Sequence, residues 1–503
     1  MQGEAKAGAL DQDPSDSALS LLTDTTEATL TVIAHRTSLT LQERRARGKQ
    51  QRSQVAPDGH AGWTPATDRP DPVALLVQQE ATREADLVPV RHGRMMASPF
   101  TFYRGAAKIM AADLSVTPSA GLTVQLCGDA HLLNFGGFAS PERTLLFDLN
   151  DFDETLPGPF EWDVKRLAAS FTIAARNNGY RKADVRAITT AAVAAYRQAM
   201  AEFATMRVLD IWYSRLSAED LVDLAREGEA RTKKRTAGRL ASNTEKLVAK
   251  GRNRGHLQAL SKLAETVDGV SRIVSQPPIV VPARMMGSIY GSAERITQVI
   301  DDQLLAYRET LADDRRLLLD QFTLVDVARK VVGVGSVGTR AFIALLQGRD
   351  DQDPLFLQVK EAAPSVLEDY LPKSRYANSG ERVVRGQRLM QAASDIFLGW
   401  TLGAEVDRHY YWRQLRDMKV SADTESMVPE GMRLYAGACG WTLARAHSRS
   451  GDPVAIASYL GKSDKFDRSI ADFSQRYADQ NERDYDRFCR AVHAGELAAV
   501  EGV

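Results

Sequence analysis

The sequence predicts an α+β fold of two lobes, a large one rich in helices and a smaller one built on antiparallel strands. Three observations carry this. Ala-rich stretches with apolar residues at helical spacing occupy residues 163–177 and 181–203. Residues 325–361 alternate β-compatible runs with turn residues, in the order strand, glycine loop, strand, hairpin, strand. Residues 128–163 interleave acidic and amide side chains with short apolar strands: Gly-Asp-Ala-His-Leu-Leu-Asn, then Leu-Leu-Phe-Asp-Leu-Asn-Asp-Phe-Asp-Glu, then Trp-Asp.

The remaining elements follow in chain order. Residues 1–40 carry no amphipathic pattern apart from 28–34 and are expected to form a flexible arm. Residues 41–56 form a basic helix, read as a solvated face. The run 231–254 holds Arg231, Lys233, Lys234, Arg235, Arg239, Lys246, Lys250, Arg252 and Arg254. It is read as a solvated helix, with reception of an anionic substrate as the alternative. Pro277, Pro278 and Pro282 mark an extended connector, and 293–321 reads as a further helix of the large lobe. A helix at 379–393, a strand at 410–415 leading into a connecting hinge and an amphipathic helix at 434–447 follow, leaving a short C-terminal helical region.

The acidic run has the composition of a phosphoryl-transfer centre. Such chemistry needs a carboxylate to orient the acceptor and oxygen ligands for Mg²⁺ on the nucleotide side. Asp129 supplies the first; Asn134, five residues later, and Asp151 supply the second, with Asp148 and Asp153 as close alternatives to Asp151. His131 has only Asp and Asn for neighbours, so a hydrogen-bonding role that props the loop is expected rather than a zinc site. Gly333, Gly335 and Gly338 fit Gly-x-Gly-x-x-Gly, where glycine lets a backbone approach phosphates closely. A dinucleotide-binding reading fits worse, because that loop should open a helix and here it opens a strand.

This pattern resembles the kinase-like small-molecule phosphotransferases. Aminoglycoside and choline kinases have a His-Gly-Asp-x-His-x-x-Asn loop, matched by Gly128, Asp129, His131 and Asn134, with Cys127 in place of the first His. Their following Asp-Phe-Glu-like segment and later helical Asp are matched by 151–154 and Asp163. The resemblance implies that Lys360, ending Leu-Gln-Val-Lys, contacts the nucleotide phosphates, with Glu381 or Glu368 as its carboxylate partner. It implies ATP and Mg²⁺ as cofactors, and Asn134, Asp151 and Asp153 as candidate metal ligands. Because the glycine loop and lysine follow the acidic run, the kinase-like fold is expected in circularly permuted order. The expected division is an arm (1–40), an N-terminal helical and large-lobe segment (41–321), a small-lobe nucleotide clamp (322–420) and a C-terminal segment completing the large lobe (421–503). Nucleotidyl transfer on the same fold and a non-catalytic pseudokinase are the alternatives. The acceptor, a small molecule or a protein, is not encoded in these motifs.

The whole chain from about residue 40 also resembles a bacterial family of uncharacterised proteins, the domain of unknown function 2252 family. The likeness rests on 94–105, 128–154, 383–395 and 477–485.

Composition excludes other classes. The 503 residues are 44% hydrophobic and 26% charged, ordinary for a globular enzyme, and a net charge of −1 predicts no general nucleic-acid affinity. Three scattered cysteines, Cys127, Cys439 and Cys489, make neither a disulfide framework nor a zinc cluster. The eight histidines show no His-Glu-x-x-His spacing, and neither a nucleophile elbow nor a Walker loop occurs. No apolar run approaches the roughly 20 residues of a membrane span and the N-terminus lacks a signal-peptide pattern, so a cytoplasmic protein without membrane insertion is expected.

Overall fold

Thr40 opens the first helix as a capping box, its hydroxyl accepting from the Glu43 amide while the Glu43 carboxylate accepts from the Thr40 amide. The computed structural model describes residues 39–231, 240–252, 256–267, 270–287, 292–331, 333–405, 407–415 and 418–502. Nearly all of the N-terminal arm, and Lys233, Lys234, Arg235, Arg239 and Arg254 of the basic run, lie outside the described residues. Helices α1 (Leu41–Gln54), α2 (Pro72–Glu80), α3 (Val88–Met96), α4 (Pro99–Gly105) and α5 (Ala107–Ser115) lead to strand β1 (Thr123–Leu126). The acidic run then folds as a hairpin of β2 (Phe135–Ala139) and β3 (Leu145–Leu149), in which Phe135 faces Leu149, followed by β4 (Leu156–Pro159), which pairs antiparallel with β1.

Helix α6 (Phe160–Asn177) is buried along its whole length except its last two residues, which makes it the centre of the large lobe. Helix α7 (Lys182–Phe203) has Val185, Ile188, Ala192 and Tyr196 on its core face. Next come α8 (Val208–Tyr213), α9 (Ala218–Arg231), α10 (Leu240–Arg252) and α11 (His256–Leu263). From here the chain builds a six-stranded antiparallel sheet in the order β11-β12-β10-β9-β8-β7. Its strands are β7 (Val280–Pro282), β8 (Thr323–Lys330), β9 (Ala341–Gln347), β10 (Pro354–Ala362), β11 (Gly399–Leu402) and β12 (His409–Gln414). The hairpin β5 (Ala264–Val267) and β6 (Val270–Ile273) precedes it, and Leu263 and Ile273 pack on the sheet face formed by Ala328, Ile343 and Phe356.

The expected helix at 293–321 is two, α12 (Ala293–Arg308) and α13 (Asp313–Leu319), and they do not belong to the large lobe. Ile296, Ile300, Tyr307 and Leu319 bury against Val327, Phe342 and Trp412 of the sheet, with the Tyr307 ring stacked on Trp412 at 4.8 Å between centroids. The smaller unit therefore begins well before residue 322. The apolar stripe of α12 is complementary to the second face of the sheet, which would otherwise lie in water.

Helix α14 (Ser379–Met390) leaves the sheet after β10 and returns to β11; β13 (Val420–Ser421) then crosses to pair with β2. Helix α15 (Pro429–Ser450) lies along α7, and α16 (Pro453–Leu460) against α1, where Arg44 pairs with Asp452 at 2.7 Å. The C-terminal region is not short: α17 (Lys465–His493) runs 29 residues. It closes the large-lobe core through Phe466, Ile470 and Phe473 and ties to α7 by Arg197–Asp467 at 2.8 Å. The end of α15 abuts the start of β1, the Gln125 amide donating to Ser450 Oγ at 2.9 Å.

Candidate functional site

The loop between β1 and β2 is held from behind. Asp163, in the first turn of α6, accepts hydrogen bonds from the Cys127 amide at Oδ2, 2.8 Å, and the Gly128 amide at Oδ1, 3.1 Å, and His447 near the end of α15 also meets Oδ2 at 3.2 Å. Gly128 has φ +84°, and a Cβ there would run into the Glu154 carbonyl, so glycine is required where the loop crosses the segment after β3. Asn134 donates its side-chain amide to the Asp129 carbonyl at 2.7 Å, which leaves its side-chain oxygen for other partners. The Asn150 amide donates to the Asn134 carbonyl at 3.0 Å, which ties Asn134 to the residue that precedes Asp151.

Arg166 brings two nitrogens onto one oxygen of Asp129, Oδ1, with Nε at 2.8 Å and Nη2 at 2.7 Å, and the guanidinium lies over the Tyr103 ring at 3.8 Å. His131 Nδ1 accepts from the Leu133 amide at 3.2 Å, and its Nε2 is 3.9 Å from Asp129. Burial, with the charges of Arg104 and Arg166, holds this imidazole well below its usual range, so it is neutral with its proton on Nε2. His131 thus supports the loop beside Asp129.

The second half of the site arrives from the small sheet. Lys360, 2% exposed on β10, forms an ion pair with Asp153 and stands 3.9 Å from Asp151, joining segments 207 residues apart. Tyr411 donates its hydroxyl to Asp153 at 2.8 Å, and Ser336 of the glycine loop reaches the same carboxylate at 3.4 Å. Arg413, two residues along β12 and so on the same face, donates to Gln358 at 2.9 Å and to the Asn150 carbonyl at 3.2 Å. Beyond it opens a cavity of about 340 Å³ bordered by Gly137, Phe138, Gln358, Gln387, Gln414 and Leu415.

The two carboxyls divide the charge unequally. Burial raises both, but at Asp153 the Lys360 charge and hydrogen bond, with the Tyr411 hydroxyl, prevail and hold it below the usual carboxylate value. At Asp151 burial and the neighbouring Asp153 charge outweigh Lys360 and Arg413, and the carboxyl is raised. Burial would lower Lys360, yet Asp151 and Asp153 raise it above the ordinary lysine value. Asp148, the third alternative at sequence level, does not face this cleft: it is sealed by Arg445 and by the Ala392 amide at 2.8 Å.

The expected Lys360–Glu381 pair is not formed. Glu381 lies in the first turn of α14 and faces Arg385, one turn on, at 3.3 Å, and the carboxylate that pairs with Lys360 is Asp153. Glu368 also stays away from Lys360, with Arg382 at 3.9 Å. Arg382 is the residue that sequence reasoning missed: buried, it donates to the carbonyls of Asp153 at 2.8 Å, Thr155 at 2.7 Å and Ala363 at 2.8 Å, tying α14 to the acidic segment. Tyr411 and Arg413 were also missed, although their two-residue spacing in Tyr-Tyr-Trp-Arg put them on the Lys360 face.

The glycine loop joins β8 to β9 as expected, but its close approaches are to protein. Gly338, at φ +90°, lies on the Arg83 side chain, and Arg83 donates to the Val337 carbonyl. A Cβ on Gly335 would stand 3.0 Å from the Arg104 carbonyl, and Arg94 donates to the Gly333 carbonyl at 2.6 Å. Helices α3 and α4 thus brace the loop from outside.

Residues 83–491 match the family described as uncharacterized protein conserved in bacteria (DUF2252). The chain belongs to this family. Neither the curated proteins nor the solved structures hold a match to it. In this DUF2252 protein the segments 94–105, 128–154 and 383–395 meet at the cleft, whereas Tyr477 and Tyr485 act from α17, bonding Asp113 at 3.1 Å and the Met96 carbonyl at 2.6 Å. Among the described residues no helix is long and apolar enough to cross a membrane, and no three His, Cys, Asp or Glu side chains are grouped to hold a metal.

Proposed function

We propose that this DUF2252 protein is an ATP- and Mg²⁺-dependent phosphotransferase with a two-lobed, kinase-like architecture in circularly permuted order, acting on a hydroxyl-bearing acceptor. The observation that carries the reading is the convergence of Lys360 on Asp151 and Asp153. A buried lysine on the second strand after a glycine loop, facing carboxylates that follow an Asp-x₄-Asn loop, is the arrangement phosphoryl transfer uses for charge neutralisation. The permuted order is supported by the contact between Ser450 and Gln125, since the end of α15 lies where a chain entering β1 would come from.

Asp129, fixed by Arg166, orients the acceptor hydroxyl and takes its proton. Lys360 faces the phosphates, and the loop from Gly333 to Gly338 closes over them. The cavity beside Gln414 and Leu415 has room for the nucleotide base. Asn134, Asp151 and Asp153 fit Mg²⁺ as an oxygen-only donor set, and a cation would favour the ionised form of the Asp151 carboxyl, which burial and the Asp153 charge raise. Two carboxylates and an amide suffice there, because Mg²⁺ takes its other ligands from phosphate and water. When bound, the ion supplies charge neutralisation on the phosphate oxygens.

The test is thermal stability of the wild type, Asp151→Ala and Lys360→Ala with and without Mg·ATP. A magnesium-dependent rise in Tm in the wild type, lost in both variants, supports the reading; no rise at saturating nucleotide refutes it. ATP labelled separately at the α and γ phosphates then distinguishes the transfer, and product carrying only the α label points to nucleotidyl transfer.

A further inference from the structure

The arginines of α3 and α4 have no part in the scheme above. Arg104 ends α4 beside the catalytic loop; its electrostatic neighbours are Asp129, Glu425 and Arg94, and its charge in turn acts on His131. Its guanidinium makes no hydrogen bond or ion pair among the described residues, and its Nε is buried without a partner. Asp129 does not bond it: among the described residues the side chains within 4 Å of that carboxylate are Arg166 at Oδ1 and His131 at Oδ2. Arg94 adds a second like charge and is anchored on the Gly333 carbonyl. A part-buried, unpaired guanidinium next to another cation is costly unless an anion with several acceptor oxygens joins them.

The glycine loop lies between this pair and the lysine. Gly335 stands against the backbone of Arg104, while the adjacent Ser336 reaches Asp153, the partner of Lys360. An anion held at the loop would therefore meet Lys360 on one side and Arg104 on the other. We infer that Arg104, backed by Arg94, is a phosphate-binding residue of the cleft that receives the terminal phosphates of the nucleotide. The planar guanidinium fork suits phosphate oxygens in two-point contact, which a lysine cannot reproduce. This rests on the nucleotide reading and adds a cation from a segment ahead of the catalytic loop.

Calorimetric titration of the full chain with Mg·ATP and with adenosine tests it, using the wild type, Arg104→Met and Arg104→Lys, each checked for its melting temperature without ligand. The expected result is that Arg104→Met weakens Mg·ATP by about tenfold or more and leaves adenosine unchanged, as loss of a charge-assisted contact implies. Should Arg104→Met not fold, Arg104→Lys decides, with weaker Mg·ATP and unaltered adenosine binding expected. Mg·ATP binding equal to wild type, or equal losses for ATP and adenosine, overturns the inference while the nucleotide reading stands. Absence of binding by the wild type removes both.

Discussion

Five aspartates lie between residues 129 and 163 of one acidic run and meet two different fates. Asp148 and Asp163 face inward, 1% and 2% exposed at the side chain, and every close partner is a cation, an imidazole or a backbone amide. Asp129, Asp151 and Asp153 open onto the cleft, at 19%, 31% and 25%. The inner pair is closed in by internal partners; the outer three share Lys360, Arg166 and Arg413 and keep part of each carboxylate open to the cleft. Carboxylates closed in by internal partners build a scaffold, whereas those left partly open to the cleft are available to a ligand.

Variants that remove an acid from each set sharpen this contrast. Asp148→Ala strands the buried Arg445 guanidinium and is expected to cost about 3–5 kcal/mol, read as a lower urea midpoint. Asp163→Ala orphans two loop amides and is expected to cost about 2–3 kcal/mol; an unchanged midpoint would break the comparison. Asp153→Asn weakens the Lys360 pair but leaves Asp151 nearby, so about 1–2 kcal/mol is expected, reduced by the partial exposure of the carboxylate.

Asp151→Asn has the opposite sign. A carboxyl raised in the folded state penalises folding once it ionises, so folded stability falls as pH rises from the ordinary 3.8 through the raised value. Removing that charge is expected to stabilise the ligand-free protein near pH 7, with the gain shrinking on acidification through the raised value and gone below the ordinary 3.8. Melting curves of variant and wild type across pH 4–8 measure both. A loss of stability at pH 7 would move Asp151 into the scaffold set.

Much of this was legible. The helices at 163–177 and 181–203 and the strands around the glycine loop fell within a few residues of their places, because alternation and helical periodicity report which face is buried. Lys360 and the acids converged because strand β10 has only one face towards the large lobe. What sequence could not show was which surface an amphipathic helix would choose. The stripe of Ile296, Ile300 and Tyr307 is equally suited to a helical bundle and to a sheet, and only the uncovered face of β8, β9 and β12 decides. The partner of Lys360 was similarly hidden: Glu381 and Asp153 are both carboxylates, and the choice depends on the position of α14, set by buried Arg382.

The clasp of His447 on Asp163 joins residues 284 apart, and Lys360 follows Asp153 by 207. At roughly 5–20 residues per second, a ribosome releases the loop and then needs tens of seconds to deliver the residues that fix it. A nascent or prematurely terminated chain therefore carries the acidic run exposed and unbraced. Assembly of the cleft is a late event in the biosynthesis of this protein, and its appearance reports that α15 has been made and docked.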